Sequence, residues 1–174
     1  MLERHPQSAA GAVRRIEVRV RRDADAIDVS YAIEGELERI AVPPVRAARA
    51  AHRLWEHTCC ELFVARKGEP GYEELNFSPS GEWARYAFSG YREAGPALNG
   101  VPPRITVRRD ANRLVLEARA AMKIDGAIIV GVSAVVEERE GPSALSYWAL
   151  RHAPGKPDFH HRDAFAMELD EVRH

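Results

Sequence analysis

"RIEVRVRRDADAIDVSYAIE", Arg15 to Glu34, decides the fold class. Ile16, Val18 and Val20 alternate with Glu17, Arg19 and Arg21; further on, Ile27, Val29, Tyr31 and Ile33 oppose Asp28, Ser30 and Glu34. A period of two sends successive side chains to opposite faces, so each run is a strand with one apolar face. The short polar "RDADA" between them makes the pair a hairpin.

The same pattern recurs along the chain. "RLVLEARA" sets Leu114, Leu116 and Ala118 against Val115, Glu117 and Arg119. "AIIVGVSAVVEE" is apolar throughout, as expected of a central strand covered on both faces. "EHTCCELFVA", "SYWAL" and "FAMEL" add further strands. Helical signals are weak; "VRAARAAHRLWEH", Val45 to His57, has helix formers enough for one short helix. Nine or ten short strands separated by Pro/Gly turns imply an all-β fold, an antiparallel β-sandwich of jelly-roll type.

Composition narrows the function. The chain has 174 residues, one-domain length, with 25 Lys and Arg against 26 Asp and Glu, a formal charge of −1. That balance gives no electrostatic ground for nucleic acid or an anionic membrane surface as partner. No segment approaches transmembrane length, and "MLERHPQSAAGAV" has no apolar run of a secretory leader, so a cytoplasmic protein is expected. The only cysteines, Cys59 and Cys60, are adjacent and cross-link nothing distant.

Two regions concentrate polar and aromatic residues. In "ELNFSPSGEWARYAFSGYR", Glu74 to Arg92, two strands flank Ser78-Pro79-Ser80-Gly81. A two-residue turn would pair Asn76 with Trp83 and Glu74 with Arg85, gathering them on one face. A type I turn with a bulge at Gly81 would instead pair Phe77 with Trp83 and send Trp83 to a core or lid position. The second region, "SYWALRHAPGKPDFHHRDAF" from Ser146 to Phe165, holds Trp148, Lys156, His160, His161 and Asp163 in a loop-rich setting. Asp158 and His160, and likewise His161 and Asp163, are two apart, a spacing able to hold a divalent metal with a distant ligand such as His57 or His152. Trp55, Trp83 and Trp148, each beside charged or His residues, suit a sugar instead: an apolar sugar face stacks on a ring while polar neighbours take its hydroxyls. No nucleophile elbow, phosphate-binding loop or dinucleotide fingerprint points to catalysis.

Three blocks together carry a family likeness: "LWEHTCCELFVA" (Leu54 to Ala65), the Glu74–Arg92 hairpin and the Ser146–Phe165 segment. They resemble the bacterial DOMON-like proteins related to the family-nine carbohydrate-binding modules. The resemblance implies a jelly-roll β-sandwich that binds sugars or haem, with paired Trp rings clamping a sugar and calcium as a common structural ion. Trp55 and Glu61 fall on the family's W-x-x-D/T-x-x-E-x-F-like strand, and Trp148 on its late aromatic strand.

The expectation is therefore a flexible tail over residues 1–12 and a single DOMON-like domain over 13–174. That domain is expected to bind a small sugar-like ligand without catalysis, through Trp55, Glu61, Asn76, Trp83, Arg85, Trp148 and Lys156. A metal-dependent enzyme or metal-binding protein using His160, His161 and Asp163 is the alternative, and a haem-binding domain the third. The edge strands of a sandwich leave room for a homo-oligomer.

Overall fold

The structure, a computed structural model, describes residues 1–9, 11–97, 100–139 and 145–171. The expected hairpin forms first: β2 (Val13–Arg22) pairs antiparallel with β3 (Ala26–Gly35), with Ile16 opposite Ile33 and Val18 opposite Tyr31. β3 then pairs with β9 (Arg113–Ala121), and β9 with β8 (Arg104–Arg109), closing a four-stranded sheet in the order β2-β3-β9-β8.

The larger sheet is built around β10 (Ile128–Glu137) and β4 (Cys59–Arg66). β5 (Tyr72–Phe77), β6 (Trp83–Phe88) and β7 (Ala94–Ala97) extend it on the β4 side. On the other side, β10 is shared. Its later half pairs with β11 (Leu145–Ala149), and its first three residues pair with β12 (Met167–Leu169). β1 (Glu3–Arg4) completes the edge beside β11. Residues 150–166 must therefore leave the sheet and return to the same strand, and that excursion supplies one side of the site described below.

The inner faces of the two sheets meet in one apolar core. Ile16, Val29, Tyr31, Ile33, Leu114 and Leu116 come from the smaller sheet; Cys60, Leu62, Leu75, Phe77, Val132 and Trp148 come from the larger. The Tyr31 hydroxyl crosses this core to donate to the Glu61 carbonyl at 2.6 Å, satisfying the one polar atom of a fully buried ring. Arg85 ties the layers at the margin. Its side chain donates to Glu73 at 2.6 Å and to the Ala121 carbonyl at the end of β9, at 3.0 Å. Both cysteines are free and fully buried.

The hairpin between β5 and β6 takes the bulged form. Gly81 donates to the Ser78 carbonyl and adopts φ +92°, a conformation glycine accepts without strain, and Phe77 pairs with Trp83. Trp83 is accordingly buried and Arg85 lies on the opposite side of the sheet from Glu74.

Two expectations are corrected. Residues 1–12 are not a detached tail: Leu2 and His5 are buried and Glu3–Arg4 pair with Trp148 and Ala149, because the edge of β11 offers unpaired backbone groups. The Val45–His57 segment is not helical over its length. Arg46 donates to the Ser80 carbonyl and Ala51 to the Trp83 carbonyl, so the chain runs as a ribbon along the hairpin and makes only a 3-10 turn, Leu54–Glu56. Pro43 and Pro44 immediately before it explain the extended start. No helix among the described residues is long and apolar enough to cross a membrane.

Candidate functional site: a cleft on the outer face of the larger sheet

On β4, Cys60, Leu62 and Val64 join the core, so Cys59, Glu61, Phe63 and Ala65 face outward. The register places Asn76 opposite Glu61, Glu74 opposite Phe63, Ala84 opposite Asn76, and Tyr86 opposite Glu74. Val135 and Tyr147 continue the same face across β10 and β11. Parity alone thus assembles a floor of acids and aromatics.

Loops cover the ends of this floor. The 150–166 excursion folds Phe159, His160 and Phe165 onto Phe63 and Tyr72. It lies so close that a Cβ on Gly131 would stand 3.3 Å from the Ala164 carbonyl oxygen, which is why a residue without a side chain sits in the middle of β10. From the other side, the Leu54–Glu56 turn brings Trp55 edge-on to Tyr86, ring centroids 6.1 Å apart. Between them is a cleft of about 640 Å³, lined by Trp55, Glu61, Glu74, Tyr86, Tyr147 and His160, with Glu56, Phe88, Arg92 and Phe159 among the rest.

Two carboxylates lie at its base, Glu61 at 3% exposure and Glu74 at 5%. Glu61 accepts from the Ser133 hydroxyl at 3.2 Å, and Glu74 from the Asn76 amide at 2.7 Å. Burial raises both above the ordinary carboxylate range, and the negative charge of Glu74 raises Glu61 further. Asn76 is wholly buried, and its side-chain oxygen has no partner among the described residues.

A relay of hydrogen bonds fixes the wall. The Arg92 backbone N–H donates to the Tyr72 hydroxyl at 3.2 Å, and the same hydroxyl is hydrogen-bonded to His160 Nδ1 at 2.9 Å. The His160 imidazole, neutral at pH 7, has its Nε2 3.7 Å from Glu74. Burial first, and then the nearby Arg92 charge, pull its pKa down to about 4. The Arg92 guanidinium is held by Asp158 at 2.9 Å. Burial alone would raise the Asp158 carboxyl, but hydrogen bonds from Tyr91 and Arg92 prevail and keep it below the usual range.

Among the described residues, two that are not glycine have φ in the left-handed region: Arg53 at 59° and Arg92 at 56°. One is the residue immediately before the Leu54–Glu56 turn that carries Trp55, and the other lines the cleft. Such backbone is costly for a residue with a Cβ and gathers at functional sites.

Of the residues expected from sequence, the structure brings Trp55 and Glu61 into the cleft, with Asn76 beneath its floor. Trp148 is not there. It belongs to the core at 5% exposure, its indole N–H donating to Ser146, and its neighbour Tyr147 faces the cleft instead. Trp83 is likewise buried, and Arg85 braces the sheets. Lys156 is exposed on the loop and does not line the cleft.

The His/Asp group divides. His160 turns inward to Phe63 and Tyr72, while His161 lies exposed beside Tyr91 and Asp163. Among the described residues no three His, Cys, Asp or Glu side chains gather as a metal set. Sequence reasoning passed over Glu74, Tyr72, Tyr86, Phe88 and Tyr147 as site residues. The signal for the first four was present, since the bulged turn fixes which face of β5 and β6 they occupy.

No protein-family model matches the chain, and no curated protein sequence matches it. Solved structures do. A proposed carbohydrate-binding protein from Bacteroides uniformis matches with a TM-score of 0.63 at 16% identity, over 90% of this chain and 79% of that one. A family-nine carbohydrate-binding module from Caldicellulosiruptor kristjanssonii in complex with glucose matches with a TM-score of 0.55 at 13% identity, over 99% of this chain and 86% of that one. The module from the same organism in complex with cellotriose gives 0.54 at 13% identity, over 96% and 80%. At these identities the likeness establishes a shared fold: this chain is an all-β sandwich of the kind those carbohydrate-binding proteins adopt.

Proposed function

We propose that this chain is a non-catalytic carbohydrate-binding domain, related to the family-nine modules, that holds one or two sugar units in the outer-face cleft. The observation that carries the reading is the cleft itself: aromatic rings on its sides, buried hydrogen-bonding groups at its base, and room for a small ligand. Trp55 and Tyr147 offer ring faces to the apolar side of a sugar, and Glu61 and Glu74 accept from its hydroxyls. The fold supports the reading, because two structures that share it hold glucose and cellotriose. The strained backbone at Arg53 and Arg92 supports it from a separate direction.

A small stacking area implies modest affinity, roughly micromolar to millimolar. Isothermal titration of the purified protein with glucose, cellobiose and cellotriose tests the proposal. Saturable binding is expected, weakened about tenfold or more by Trp55→Ala and by Tyr147→Ala, an effect of about 1.4 kcal/mol. Both variants should keep a cooperative melt. A panel without measurable heat up to tens of millimolar ligand would remove the proposal.

A further inference from the structure

We propose that the cleft discriminates in favour of sugars carrying a free ammonium group, that is, amino sugars over their neutral counterparts. The inference rests on the sugar-binding reading above and adds the ligand's charge. It begins with the pairing register. Glu61 stands opposite Asn76, so Glu74 is its diagonal neighbour on the same face, with backbones roughly 7–8 Å apart. Two acids at that spacing, both more than nine-tenths buried, need a positive charge or a shared proton.

The protein supplies only part of that charge: Arg92 acts on Glu74 from a distance and pulls its carboxyl down, without offsetting the effect of burial. Among the described residues neither carboxylate forms an ion pair with Lys or Arg. The nearest guanidinium, Arg92, is occupied by Asp158. His160, the one side chain that approaches Glu74 as a base, is neutral. The remaining titratable groups around the cleft, Glu56, Tyr72, Tyr86 and Tyr147, add no cation either, and Arg53 beside them is paired with Glu56.

The hydrogen-bond inventory points the same way. Among the described residues Glu61 and Glu74 each receive one donor within hydrogen-bonding distance, and the side-chain oxygen of Asn76, wholly buried behind them, receives none. What the floor lacks is donors and positive charge together. A hydroxyl brings one donor and no charge; an ammonium brings three donors and a full charge. The walls suit the same group, since Trp55, Tyr86, Phe88 and Tyr147 present aromatic rings, whose faces attract cations. An ammonium arriving at the floor keeps its own protons. Any proton that the two carboxyls shared passes to the solvent, so both acids become ionised around the bound cation.

Calorimetric titration with D-glucosamine, D-glucose and N-acetyl-D-glucosamine at pH 7, in phosphate and in MOPS, tests this. Glucosamine is expected to bind about tenfold or more tightly than either neutral sugar. It alone should give a buffer-dependent enthalpy, corresponding to release of up to one proton. Glu74→Gln should bring the ratio of glucosamine to glucose affinity to within about threefold, whereas Glu74→Asp should keep the preference. Equal binding of glucosamine and glucose by the wild type would overturn this inference and leave the sugar-binding reading standing. Failure of all three sugars, together with the neutral panel above, would overturn both.

Discussion

The outer faces of the two sheets make an instructive pair. Each carries a groove of similar size, about 640 Å³ on the larger sheet and about 580 Å³ on the smaller. Each is rich in charge. On the smaller sheet several charges pair at the surface, among further arginines: Arg15 with Glu34 at 2.9 Å, Arg108 with Glu117 at 2.9 Å, and Arg119 with both Asp23 and Asp28. Water screens these pairs, and each contributes little to stability. On the larger sheet two loops cover the face, and its two buried acids, Glu61 and Glu74, have no ion pair with Arg or Lys among the described residues. Strand alternation created both faces. The loop cover buries the acids of only one of them.

The comparison can be broken or sharpened by substitution. The largest effect should come from the side of the larger sheet opposite the cleft. Trp148→Ala removes a buried ring from the core and is expected to cost about 3–5 kcal/mol in urea denaturation. A loss under about 1 kcal/mol would mean that the ring is not packed between the sheets.

Next comes the acid dependence of the covered face. Folded His160 titrates near pH 4, against 6.5 for an ordinary imidazole. Between those values the unfolded chain binds the extra proton, so this contribution is complete above about pH 6.5 and is lost as pH falls towards 4. Glu61 and Glu74 act in the opposite sense. Their folded pKa values are raised, so their protonated forms favour the fold, and stability declines as pH rises through the folded values. Comparing wild type with His160→Gln isolates the first effect. Between pH 6.5 and 4 the wild type should lose about 3 kcal/mol more than the variant. Superimposable pH profiles would show that the imidazole titrates normally.

The smallest effect belongs to the open face. Arg108→Ala breaks an exposed pair and should change stability by no more than about 0.5 kcal/mol, leaving sugar titrations unaltered. A larger loss, or altered binding, would mean that the open face is less passive than its exposure suggests.

Much of the sandwich was legible because the signal for it is local. The Arg15–Glu34 hairpin, the doubly covered β10 and the bulged turn at Gly81 all follow from alternation or turn chemistry within a few residues. β8 was readable too: Ile105 and Val107 alternate with Arg104, Thr106 and Arg108, as the apolar residues of β2 do with polar ones, although that run was not among the expected strands. β1 and β7 were not, being two and four residues long, the second with a Gly and a Pro inside it.

The site was harder for a physical reason. In "SYWAL" both faces are covered, so apolar character does not distinguish them, and a shift of one residue decides whether Tyr147 or Trp148 meets the cleft. The larger ring drew the ligand expectation, and the register gives the cleft to Tyr147. Glu74 and His160 meet only through tertiary folding, 86 positions apart in the chain, and no spacing rule anticipates that.

The two adjacent thiols have a practical consequence. Cys59 and Cys60 are fully enclosed, and burial, reinforced by the neighbouring acids, raises both well above an ordinary cysteine, so almost no thiolate forms at neutral pH. Alkylating reagents should therefore pass over the native pair while the fold is intact. One cysteine placed at the exposed Lys156, next to Pro157 at the lip of the cleft, becomes the single labelling point. A fluorophore attached there would report what enters the cleft without any native residue having to be engineered away.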